Sequence, residues 1–151
     1  MTTIALRAAA PEDTSLQQRL FLSGRPELAP LGEALVAQQR AAQQAQFAVS
    51  YPDRTTDVVL VDGVPVGQLV VDRDANRVRL VDIVLLPEQR GHGLGTALLN
   101  RLIEEAGPLR VELHVARDNP AARLYARLGF QVHGDEGVYL EMHRTQPKTA
   151  S

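Results

Sequence analysis

The stretch Pro87–Asn100, PEQRGHGLGTALLN, sets Gly91, Gly93 and Gly95 at every second position between an apolar run that reads as a strand and an amphipathic run that reads as a helix. A turn of this kind presents unpaired backbone amides and the positive end of a helix dipole to the same point in space, which suits a phosphate. A tight turn alone rarely needs so many glycines. The spacing therefore predicts a ligand that approaches the main chain closely, with a pyrophosphate as the best fit.

The rest of the chain reads as elements around that turn. IALRAA (Ile4–Ala9) is a first strand, and a helix follows with Asp13 or Thr14 as cap ahead of Leu16 and Leu20. SGRPELAP breaks it, and a second helix with a thin apolar stripe runs from about Leu31 to Phe47. Three β-rich runs, separated by Asp62-Gly63 and by DRDAN, make an antiparallel meander. After the glycines, Leu98, Leu99 and Leu102 keep a helical period until Gly107-Pro108; Leu109–Val115 is strand five. Asn119-Pro120 opens a last helix that Gly129 stops, and two short strands close the chain. The order is β-α-α-β-β-β-α-β-α-β-β, with one crossover in the second half. Residues 1–143 read as a single domain and 144–151 as a disordered tail.

Composition removes several function classes. The 151-residue chain has no cysteine, which excludes disulfides, thiolate metal sites and a cysteine nucleophile. A net charge of -2 asks for neither nucleic acid nor a membrane surface, and no segment approaches the roughly 20 apolar residues of a bilayer span. The N-terminal MTTIALRAAAPED lacks the pattern of a signal sequence, so the expected location is cytoplasmic. The histidines show no metal-ligand spacing, and no metal is expected.

Two common phosphate loops fail on these residues. A P-loop would need a lysine after Gly95, where Thr96 and Ala97 stand; a dinucleotide fingerprint would need a glycine at Thr96 and an opening βαβ unit. Arg90-Gly91-His92-Gly93-Leu94-Gly95 instead resembles the acyl-CoA motif of the GNAT superfamily, Gln/Arg-x-x-Gly-x-Gly/Ala. NPAARLYARLGF (Asn119–Phe130) is similar to that family's later motif, and the element order agrees along nearly the whole chain.

The resemblance implies an α/β fold: a mixed, mostly antiparallel seven-stranded sheet with helices on both faces, splayed between strands four and five. It implies transfer of an acetyl group from acetyl-CoA to a primary amine by direct attack in a ternary complex. The alternatives are a CoA-binding regulatory module and a transferase for another acyl group. Amides of Arg90, Gly91, His92, Gly93, Leu94, Gly95 and Thr96 would hold the pyrophosphate, with Arg90 adding charge and His92 an exposed loop residue. Asn119 reads both as a helix cap and, by resemblance, as a pantetheine contact. By the same resemblance a strand-four amide near Val84 to Leu86, with Leu85 at its centre, would face the thioester carbonyl.

Tyr125 reads either as a core residue or, by resemblance, as the acid that protonates the departing thiolate; a phenol with pKa about 10 keeps its proton at neutrality. Asp82 interrupts the apolar run VRLVDIVLLP and must be paired, hydrated or functional. It is the candidate base, with Glu112, His114 and a water relay as alternatives. Glu112 and His114 alternate as on a half-exposed strand, which predicts a solvated face. Arg25, Glu27 and Tyr51 fall in the variable region and are candidate contacts for a small-molecule or peptide amine. A surface strand or the C-terminal hairpin offers a route to a homodimer.

Overall fold

The structure, a computed structural model, describes residues 2–145. Seven strands, β1 (Ile4–Ala8), β2 (Thr55–Val61), β3 (Val64–Arg73), β4 (Arg77–Leu85), β5 (Arg110–Ala116), β6 (Gln131–Asp135) and β7 (Tyr139–Arg144), hydrogen-bond in the order β1-β2-β3-β4-β5-β7-β6. Pairing is antiparallel at β1–β2, β2–β3, β5–β7 and β6–β7, and parallel at β4–β5. The helices are α1 (Thr14–Ser23), α2 (Glu33–Ser50), α3 (Leu94–Ala106) and α4 (Ala121–Arg127). This is the mixed, mostly antiparallel α/β sheet expected. The parallel ladder joins only Arg77–Leu80 to Arg110–Leu113, and β4 runs on to Leu85 and β5 to Ala116 beyond it.

The chain divides into two compact units, one built from the chain up to Asp72 together with Asp82–Leu94, the other from Arg73–Val81 together with the chain from Gly95 on. In the first, Val58, Val59, Leu69, Val70 and Val71 are almost wholly shielded from solvent. The β-rich runs that predict the meander therefore yield the core of this unit, and the consecutive buried residues of β3 show that both of its faces are covered. In the second, Leu98, Leu99 and Leu102 of α3 and Val111 and Leu113 of β5 are buried, as the helical period and strand pattern require.

Several boundaries differ from expectation. SGRPELAP is not plain loop: Pro26–Leu31 forms a 3-10 segment, and α2 starts only after Gly32, at φ 94°. α2 also runs past Phe47 to Ser50, because no breaker occurs until Pro52 pushes Tyr51 out of helical geometry, to φ -137° and ψ 69°. Asp13 precedes α1 but makes no side-chain cap bond to it. Its carboxylate accepts from the Ala10 N–H and from both Arg7 terminal nitrogens, each at 2.8 Å. Arg144, expected in the tail, is the last residue of β7; its Nε donates to the Leu128 carbonyl at 2.9 Å. The remainder of the expected tail from residue 146 lies outside the described residues.

Candidate active site

The glycine turn has the form the sequence predicts. A 3-10 turn at Pro87–Gln89 carries the chain from β4 to Arg90, and α3 begins at Leu94. Gly91 and Gly93 have φ of 80° and 77°, a conformation that side-chain-bearing residues rarely adopt. Gly95 has no such backbone demand, and beyond its chain neighbours and the backbone of its own helix no protein atom lies within 4 Å of where its Cβ would stand. Glycine is a poor helix former, costing about 1 kcal/mol relative to alanine in a helix interior. Neither packing nor dihedral angle explains Gly95, whereas an open approach to the first-turn amides of α3 does. The turn thus fits a phosphate-bearing ligand. Arg90 braces it: its Nε donates to the Leu85 carbonyl at 3.3 Å and its Nη2 to Ser23 Oγ at 3.4 Å, while the side chain remains exposed. His92 is exposed, and Thr96 lies half-buried in the first turn of α3.

The end of β4 brings together a carboxyl group and a backbone shaped by close packing. Asp82 retains some exposure, yet burial pushes its carboxyl pKa up, against the opposing influence of Arg25 and of the hydrogen bond it accepts from the Ile83 N–H. A carboxylate of this kind holds a proton more readily than one in water. Just past the end of the strand, the Leu86 N–H is committed to the Val66 carbonyl at 2.9 Å, which removes it as a donor to a ligand there. Gly67 of β3, not singled out from the sequence, lies against this backbone. A Cβ on it would stand 2.7 Å from both the Val84 carbonyl oxygen and Leu85 Cδ2. A lone glycine inside a β-branched run is the signal that marks it.

In the other unit, Asn119 caps α4: its Oδ1 accepts from the Ala121 N–H at 2.9 Å, and Pro120 already has helical φ of -55°. The side chain is exposed at the surface. Tyr125, on the same short helix, is 7% exposed and sits against Phe130 with ring centroids 5.9 Å apart. Its placement satisfies the core reading.

Arg25 and Glu27 stand at the start of the 3-10 segment after α1, Arg25 half-buried and Glu27 exposed. The Arg25 guanidinium lies over the Phe21 ring at 4.2 Å. Tyr51 follows the last residue of the 18-residue α2, a helix about 27 Å long.

Glu112 corrects an expectation. It is 7% exposed rather than solvated, with Oε1 3.0 Å from Arg79 Nη1 and Oε2 2.6 Å from Arg110 Nε. Arg79 in turn makes a bidentate pair with Glu141, at 2.8 and 2.9 Å. His114 is exposed as expected, but its Nε2 lies 2.7 Å from Glu141. Cross-strand register creates this ladder, pairing Arg79 with Glu112, Glu112 with His143 and His114 with Glu141. Burial opposes charge on Glu141, but bonds from Arg79 and His143 outweigh it and hold its carboxyl below the usual range. Ligand atoms of Glu112, Glu141 and His143 come within 4.8 Å of one another. Arg77, Arg79 and Arg110 already compensate these carboxylates, so the trio has little to offer a divalent cation. With both oxygens paired to arginines, Glu112 is also a poor candidate base.

Among the described residues, no helix is long and apolar enough to cross a membrane. Comparison with known proteins agrees with the fold. The PaiA N-acetyltransferase of Thermoplasma acidophilum, solved with coenzyme A, is similar over 95% of this chain and 99% of its own at 20% identity, TM-score 0.68. An acetyltransferase of Thermus thermophilus matches over 95% and 97% at 23% identity, TM-score 0.73. A chimeric spermidine N-acetyltransferase from Vibrio cholerae matches over 94% and 95% at 20% identity, TM-score 0.68. Residues 21–130 match the acetyltransferase (GNAT) family, a span that holds both the glycine turn and the Asn119–Phe130 motif. The chain therefore belongs to the GNAT acetyltransferase family and is an acyltransferase with acetyl-CoA as its cosubstrate.

Proposed function

We propose that the protein acetylates a primary amine by direct attack of the amine on the acetyl carbonyl. The observation that carries the reading is the turn at Gly91–Gly95, where a glycine free of any backbone or packing demand opens the first-turn amides of α3. The cosubstrate supplies an activated acetyl thioester. Arg90 through Thr96 would hold its pyrophosphate through backbone amides, and Asn119 would add a polar contact to the pantetheine beside its cap bond.

An alkyl ammonium with pKa about 10 must lose a proton before it can attack. Asp82 is the group proposed to take it, supported by the raised affinity of its carboxyl for a proton. The Leu85 amide is the proposed donor to the carbonyl oxygen as that oxygen gains charge. Tyr125 is proposed to give its phenolic proton to the departing sulfur. The balance closes over one turnover: one C–N bond forms and one C–S bond breaks. The ammonium gives its first proton to Asp82, the newly bonded nitrogen loses a second as the tetrahedral adduct collapses, and the departing thiolate takes the phenol's proton. Solvent carries that second proton back to the phenolate and the first away from Asp82. Absence of cysteine is in keeping with direct transfer, since no thiol on the protein can carry the acetyl group.

The test is thiol release from acetyl-CoA across a panel of amines. Turnover with at least one primary amine is expected, and Tyr125→Phe is expected to lower kcat by about a hundredfold or more while leaving CoA affinity within about twofold. Unchanged kcat in a folded Tyr125→Phe protein would remove the acid assignment. Cofactor binding with no acetylation of any amine would instead favour a regulatory CoA-binding module.

A further inference from the structure

Arg25 is held in an unusual way for a surface-loop arginine. Its backbone is tied to α1 by the bond from its N–H to the Leu22 carbonyl at 2.9 Å. Its guanidinium is laid on the ring of Phe21, which is itself only 7% exposed and fixed in the core of its unit. Stacking on a buried ring removes much of the freedom an arginine side chain normally keeps. Yet among the described residues the guanidinium has a ring contact and no carboxylate partner, although Glu27 stands two residues away. Its five N–H donors meet no acceptor among those residues. The same cation lowers the proton affinity of Asp82, so its field reaches that carboxyl without an ion pair between them.

Resting on the acetyl-transfer reading above, we propose that Arg25 receives a carboxylate on the acceptor, and that the amine acetylated is one that carries a carboxylate, such as an amino acid, rather than a polyamine. A planar guanidinium pre-oriented on a ring offers a carboxylate two parallel charge-assisted hydrogen bonds. The acceptor's ammonium is then attracted by Asp82. The two side chains present opposite charges to the two ends of one small zwitterion. A polyamine would meet the same arginine as a like charge, which disfavours it.

The test uses pairs of acceptors that differ only in the carboxylate: lysine against cadaverine, and ornithine against putrescine, with spermidine as a further polyamine. In the wild-type protein, kcat/KM for the carboxylated member of each pair is expected to exceed the other by about tenfold to a hundredfold. Arg25→Gln should bring that ratio near one, mainly through KM for the carboxylated member, and Arg25→Lys should restore part of it. Preference for the decarboxylated amines, or a ratio unmoved by Arg25→Gln, would overturn the proposal. Calorimetric binding of the same amines to the CoA-bound protein separates the two readings. If carboxylated amines bind, lose affinity in Arg25→Gln and are never acetylated, the Arg25 assignment stands and the transfer reading falls. If none binds, the Arg25 assignment falls whatever turnover shows.

Discussion

Asp82 shows how one residue can be kept at a cost to the fold. Burial raises its carboxyl pKa above the ordinary value of 3.8, so the folded chain binds this proton more tightly than the unfolded one. Stability from this group is fully present below 3.8 and is lost as pH rises through the higher folded value. Replacing it with asparagine should therefore leave the protein at least as stable at neutral pH, seen as an equal or higher Tm. The same replacement should remove the acid limb of the rate profile, because a base works only when deprotonated and activity climbs as pH rises through its pKa. A lower Tm with an unaltered pH profile would make Asp82 structural and leave His114 or a water relay as the base. Asp82 is visible in the sequence because a carboxylate inside VRLVDIVLLP breaks a strong pattern. Arg25 is visible there only as a loop residue, since its placement depends on where Phe21 is buried.

At the scale of elements, two arrangements decide what the strands can present. Gly67 allows β3 to lie directly against Val84 and Leu85. Gly67→Ala places a methyl 2.7 Å from a backbone oxygen and a leucine methyl, and overpacking of this kind costs about 1–3 kcal/mol. The denaturant midpoint should fall accordingly, and kcat/KM should fall with it because the Leu85 backbone must shift. The ladder of Arg79, Glu112 and Glu141 has the opposite character. Removing one partner of a buried ion pair typically costs about 3 kcal/mol or more, so Arg79→Met should destabilise by about that amount in urea unfolding. At a temperature where the variant stays folded, kcat should change little. A large loss of kcat with stability intact would return Glu112 to the list of possible bases.

These elements also mark the limit of reading the chain alone. The meander, the glycine turn, α3 and the capped start of α4 depend on neighbours a few positions apart, and local patterns locate them. The burial of Glu112 depends on residues 33 and, through Arg79, 62 positions apart in sequence, which no local period encodes. The 3-10 segment at Pro26–Leu31 escapes the sequence for a related reason: prolines signal a break, but not which short helix fills it.

At the scale of the whole molecule, strand order, the parallel β4–β5 ladder and the match over residues 21–130 all point to one family, and the chemistry assigned to individual side chains depends on that frame. The frame in turn depends on the glycine turn holding a CoA pyrophosphate. The most direct test is a calorimetric titration of the purified protein with acetyl-CoA, with free CoA, ATP and NAD run under the same conditions. Saturable binding of acetyl-CoA and CoA, with ATP and NAD at least tenfold weaker, is the predicted result. No binding of either CoA species, or equal binding of all the ligands, would contradict it.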